Sequence, residues 1–99
     1  MAIVAHVIVP GITKEQYDQV REAVGWLGEP PAGGLTHLTW WEDGDCHNCD
    51  AWESEETFNN FAQDRLGPGM AKVGVESQPQ VTFYPAHEVY VPQAVTITA

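Results

Sequence analysis

AWESEETFNNFAQDRLGP, residues 51–68, reads as the end of a strand, a helix start, one amphipathic helix and a helix stop. Ser54 is a good N-cap, because its hydroxyl can accept from a backbone N–H one turn on that otherwise lacks a partner. Glu55 and Glu56 put negative charge in the first turn, where the helix dipole favours it. Phe58, Phe61, Ala62 and Leu66 recur at helical spacing and make one apolar face. Gly67 suits the position just past a helix end, and Pro68 is expected to stop the helix there. Trp52, just before the cap, is placed to pack under that face.

Upstream, AIVAHVIV (2–9) is a β-branched apolar run closed by Pro10-Gly11, which predicts a strand buried on both faces. Ile3, Ala5, Val7 and Val9 share one side; Val4, His6 and Ile8 share the other. Thr13 and Gln16 fit a capping box, and Tyr17, Val20, Val24 and Leu27 continue as one helix face. Gly28 before Glu29-Pro30-Pro31 predicts the stop. Leu35 to Glu42 alternates as a second strand, with His37, Thr39 and Trp41 on the face of Leu35. Asp43-Gly44 signals a tight hairpin turn. Cys46 to Glu53 then forms a third strand, with Asn48, Asp50 and Trp52 opposite Cys49 and Ala51. Pro68 to Gly74 adds a short helical piece. Gln80 to Val91 is read as a fourth strand, interrupted by Pro85 and therefore bulged or at an edge. The tail, 92–99, is β-prone and could dock as an extra edge strand. The order βαββαβ is the split βαβ, ferredoxin-like pattern: an α+β fold with a four-stranded antiparallel sheet and two helices on one face. Two helices cover one face only, so the other needs a second copy of the chain against it, which predicts a homodimer through the sheets.

Ninety-nine residues make one domain, 1–99, and 43% apolar content is ordinary for a globular chain. A formal charge of −10 argues against nucleic acid and anionic membrane surfaces. No apolar run approaches the roughly 20 residues of a spanning helix, and the start lacks a basic signal-peptide region, so the cytoplasm is the expected location. Two cysteines fit a reducing compartment.

These residues resemble a family. Gly34, His37, Asp43-Gly44, Asp50-Ala51-Trp52-Glu53-Ser54, Phe58, Phe61, Arg65-Leu66-Gly67-Pro68 and Pro85-Ala86-His87 look like small bacterial members of the dimeric α+β barrel superfamily, relatives of the antibiotic biosynthesis monooxygenase (ABM) domain. The resemblance spans about residues 2–90. It implies a cofactor-independent monooxygenase-like enzyme acting on a small aromatic or polyketide-like molecule in the barrel pocket. A non-catalytic small-ligand-binding or interaction protein is the other reading. Haem-degrading members of the superfamily use an Asn on the first strand, a Trp before the second helix and a His within that helix. Trp52 matches the Trp, but the first strand offers His6 and residues 54–66 hold no His. Haem is therefore not expected, nor is any other cofactor.

Histidine titrates near neutrality and serves as a general base, and a carboxylate can fix its tautomer. His37 and His87 with Asp50 are thus the candidate catalytic residues. His6, Asn48, Trp52 and Trp41 are candidate ligand contacts, on the expectation that the three histidine-bearing strands converge on the sheet face away from the helices. Trp26 and Trp40 could widen an aromatic lining, although tryptophans more often simply pack. Cys46-His47-Asn48-Cys49 contains zinc-ligand types, but there is no second pair and alternation turns the two thiols to opposite faces. No metal is expected there.

Overall fold

The chain is described by a computed structural model over residues 1–98. Its strands are β1 (Ile3–Val9), β2 (Gly34–Glu42), β3 (Asp45–Trp52) and β4 (Gln80–Pro85), antiparallel throughout in the order β2-β3-β1-β4. α1 (Lys14–Val24) joins β1 to β2, and the second helical run joins β3 to β4. This is the α+β, ferredoxin-like arrangement that the element order predicts.

Alternation decides which side chains meet the helices. Ala5, Val7 and Val9 of β1 and Cys46, Asn48, Asp50 and Trp52 of β3 are buried beneath them. Ile12, Val20, Phe58 and Met70 close the core from above. Val4, His6 and Ile8 point to the other face and are only half-buried, so β1 is not buried equally on both sides.

The local signals act as the sequence suggests. Thr13 and Gln16 form the capping box of α1, and Ser54 forms another with Thr57. At the β2–β3 hairpin both turn residues have positive φ, Asp43 at 52° and Gly44 at 81°, as the favoured two-residue turn requires. A bulge between Gly34 and Thr36 shifts the register of β2 against β3.

Two helix ends differ from expectation. α1 stops at Gly25, which takes the left-handed conformation and donates its N–H to the Arg21 carbonyl. Gly28 is therefore not the stop, and Leu27 lies beyond the helix, exposed. Nor do Gly67 and Pro68 end the second helix. α2 (Glu55–Phe61) passes through a π turn (Ala62–Leu66) into α3 (Gly67–Val73) with helical dihedrals at each junction, and ends at Gly74. Within the wider turn Gly67 donates its N–H to the Ala62 carbonyl, five residues back. A proline in a regular helix lacks the N–H for the carbonyl four residues back and crowds it. The π turn loosens the ladder just ahead of Pro68, which then occupies the start of α3. Strand β4 ends at Pro85, at the sheet edge, rather than at Val91. Residues 86–98 carry no strand or helix, so the tail forms no extra edge strand on this sheet.

Candidate functional site

Between the sheet and the helices lies a partly open cavity of about 220 Å³. Its floor is Val7, Val9, Cys46, Asn48, Asp50 and Trp52. Tyr17, Val20 and Trp26 roof it from the α1 side, and Phe58, Phe61, Leu66 and Met70 from the second helical run. Residues 34–37 of the bulged edge strand form a side wall, together with Pro31. The lining is mainly apolar with a few polar groups converging, the usual form of a small-molecule site.

Those polar groups form a chain. His37 Nδ1 is 2.7 Å from Asp50 Oδ1, and His37 Nε2 is 2.7 Å from the Tyr17 hydroxyl. A carboxylate accepts and does not donate, so Nδ1 carries the hydrogen toward Asp50 and the neutral ring accepts from Tyr17 at Nε2. Trp52 Nε1 donates to the other oxygen, Asp50 Oδ2, at 3.4 Å. Asp50 is buried, while the His37 side chain keeps 35% of its surface exposed toward the mouth. Both ring nitrogens are thus engaged, Nδ1 by Asp50 and Nε2 by Tyr17, so a proton reaches the imidazole through the Tyr17 hydroxyl. Burial pushes the Tyr17 phenol up to about 12; the acidic groups Cys46, Asp50 and Asp18 add to the shift and Arg21 opposes it. Tyr17 is therefore a neutral donor at physiological pH. Trp26 packs edge-on against both rings, 5.8 Å from Tyr17 and 5.5 Å from His37 between centroids.

Burial also raises the Cys46 thiol, against hydrogen bonds with Thr39 at 3.5 Å and Asn48 at 3.6 Å. Asn48 donates in addition to the Val7 carbonyl at 3.2 Å, so its amide is anchored to β1.

The structure brings His37, Asp50, Asn48 and Trp52 to one cavity. That cavity lies on the helix side of the sheet, not on the face away from the helices, because β2 and β3 present these residues upward with Ala5 and Val7. The opposite parity of β1 residue 6 sends His6 to the far face, where it meets His47 at 3.1 Å. His87 follows the end of β4 and is exposed, away from the cavity. Trp41 does not line the cavity either: its Nε1 donates to the Ile12 carbonyl at 2.8 Å and Lys14 lies over its ring, which pins the end of β2 to the loop before α1. Cys46 is buried on the helix side and Cys49 lies on the other face, so the two thiols cannot share an ion. Among the described residues no group of three or more His, Cys, Asp or Glu is arranged to hold a metal.

Tyr17 is the residue that sequence reasoning missed, having been counted only as part of the α1 core face. A tyrosine on an apolar helix face carries a hydroxyl that needs a partner, and that was the available signal.

No family model and no curated protein matches the sequence. Solved structures match the fold. A monooxygenase from the ActVA-Orf6 gene of Streptomyces coelicolor, solved in complex with nanaomycin D, is 23% identical, with 93% of each chain covered and a TM-score of 0.61. SnoaB, a cofactor-independent oxygenase from Streptomyces nogalater, is 14% identical over 93% of this chain and 97% of that one, with a TM-score of 0.61. The protein NE2512 of unknown function from Nitrosomonas europaea gives 10%, 94%, 96% and 0.66 in the same order. At these identities the likeness is one of fold.

Proposed function

We propose that this chain, which carries the fold of the ABM-like α+β barrels, is a cofactor-independent oxygenase acting on a small hydroxylated aromatic or polyketide-like molecule in the cavity beneath its helices. The observation that carries the reading is the Tyr17–His37–Asp50 chain opening into an apolar cavity. A ligand-binding protein has no evident need of a base held by a buried carboxylate, whereas proton removal from a phenol or enol does.

The chemistry follows from the groups present. The substrate hydroxyl approaches Tyr17 Oη and passes its proton there as the Tyr17 hydrogen moves to His37 Nε2. Asp50 stabilises the resulting imidazolium. The phenolate so formed is electron-rich at its ring carbons. Attack of one such carbon on dioxygen forms a carbon–oxygen bond and a peroxide anion, with dioxygen taking up two electrons. The proton held on His37 returns through Tyr17 to make the hydroperoxide and restore the neutral ring. Loss of water from the peroxide, using the ring hydrogen, leaves a quinone carbonyl. One substrate and one dioxygen give one quinone and one water. The apolar walls of Val20, Phe58 and Met70 keep bulk water off the anion.

The same proposal includes assembly and place. The uncovered sheet face shows Leu38, Trp40 and Tyr84 exposed beside half-buried Val4 and Ile8, a patch that a two-fold related copy covers with its own. Two free cysteines suit the reducing cytoplasm. No helix among the described residues is long and apolar enough to cross a membrane.

The test is oxygen uptake on a panel of hydroxylated naphthalenes and anthrones, with quinone followed by absorbance. Equal uptake and quinone formation are expected, with His37→Gln and Asp50→Asn each slower by roughly 10²–10⁴-fold. Binding without turnover across the panel, or full rates in His37→Gln, would refute the reading.

A further inference from the structure

On the sheet face away from the cavity, His6 Nε2 and His47 Nδ1 lie 3.1 Å apart. The two rings come from adjacent strands, β1 and β3, and sit diagonally in the register that pairs His6 with Cys49 and Ile8 with His47. Trp40 of β2 packs nearly parallel to both, 5.2 Å from His47 and 6.0 Å from His6 between centroids. The second nitrogen of His47, Nε2, stands 3.7 Å from Glu42 Oε1. None of these groups takes part in the proposed chemistry.

We infer that this imidazole pair makes the association of two copies through this face sensitive to acid; the inference rests on the sheet-to-sheet pairing proposed above. The contact needs one N–H and one lone pair. With both rings neutral it is satisfied. One added proton is tolerated on His47, which can then donate through Nδ1 to His6 and through Nε2 toward Glu42. A second proton is not: both facing nitrogens then carry hydrogens and like charge about 3 Å apart. The rings must separate, against Trp40, and two cations must be hydrated. An interface closed over them denies that hydration, whereas an open face supplies it. Acid therefore favours the separated copies.

The other titratable groups on this face do not reverse the argument. Among the described residues Glu42 is the carboxylate within 4 Å of His47, and Asp45 is engaged by the Gly11 N–H at 3.0 Å. Cys49 of β3, with Tyr84 and Thr82 of β4, adds no carboxylate or amine to this face, Thr82 standing opposite His6. The chain as a whole pulls the other way. At −10 per copy, acidification lowers mutual repulsion and should tighten any pair. Weakening at low pH thus has a sign that net charge does not produce.

Sedimentation equilibrium at about pH 8 and about pH 5.5, either side of the ordinary imidazole range, tests this on the wild-type chain and on His6→Gln. His6→Gln keeps a hydrogen-bonding side chain and removes one titration. The expected result is a dimer Kd that rises about tenfold or more at the lower pH for the wild type, the factor that one unit of pKa difference between free and paired states gives. In His6→Gln the Kd should stay level or fall. A wild-type Kd that does not rise, or an equal rise in the variant, overturns the inference while leaving the pairing intact. A monomer at both pH values overturns the pairing itself, and the switch with it. Circular dichroism at both pH values must show the sheet unchanged; its loss together with dissociation would assign the effect to unfolding and also overturn the inference.

Discussion

Gly69 lies where α3 crosses α1, and a β-carbon built there would come 2.4 Å from Val24 Cγ2 and 3.6 Å from Val24 Cβ and N. In an open helix, Gly→Ala stabilises by about 0.5–1 kcal/mol, because alanine has less backbone freedom to lose. Here the new methyl meets a β-branched side chain that is stiff at χ1 and can swing clear only by leaving its preferred rotamer or by parting the helices. Overpacking of that kind costs about 1–3 kcal/mol. The net effect of Gly69→Ala is then a loss of roughly 1–2 kcal/mol, and a chain of this size loses about 4–8 °C in Tm per kcal/mol. In a Val24→Ala background the opposing methyl is gone, so the same substitution should raise Tm. Thermal melts of the four proteins of the cycle measure the coupling, expected at about 1–3 kcal/mol. A stabilising Gly69→Ala in the wild-type chain, or equal shifts in both backgrounds, would refute the close crossing.

Phe58, 4% exposed and edge-on to both Trp52 and Phe83, should lose about 3–5 kcal/mol as Phe58→Ala in urea titrations. Phe61, half-buried at the cavity wall, should lose clearly less than Phe58, although helical spacing puts both on one apolar face; equal losses would count against the packing described. Tyr17 should ionise near 12 by tyrosinate absorbance, a step that Tyr17→Phe should remove. A folded-state value raised above the ordinary phenol value of about 10 means that the folded chain holds the proton more tightly. The stability it contributes is therefore complete below about pH 10 and is lost as pH rises toward about 12. Tyr17→Phe should abolish that alkaline loss, and an unchanged profile would show that the phenol is not held as described.

The fold was legible because each signal was local. A capping box, an Asp-Gly turn and two-residue alternation each settle a few residues, and their order leaves one common topology. The extent of the second helix was not legible, because Gly-Pro reads as a stop unless the turn before it widens, and no local signal in residues 62–66 marks that widening. The cavity was legible in part. Strand parity correctly grouped Asn48, Asp50 and Trp52, but the face they share with His37 depends on which side the helices take. His87 was placed on a strand that Pro85 ends first. Tyr17 lies 20 residues from His37 in sequence, and nothing in the pattern of α1 marks its hydroxyl as the partner of that ring.

The π turn at Ala62–Leu66 also sets an angle. At about 100° per residue, Met70 would stand about 120° around the helix from Phe58 if the coil were uniform. One extra residue in the turn takes up about 100° of that, leaving the two side chains within about 20° of one another. That phase correction lets a single continuous helix supply the ceiling of the cavity both before and after the turn, with Phe58 and Met70 facing the same space. A chain one residue shorter there would reach the same phase as a regular α-helix, whereas the present spacing wound without the π turn would rotate Met70 away from the space it now covers.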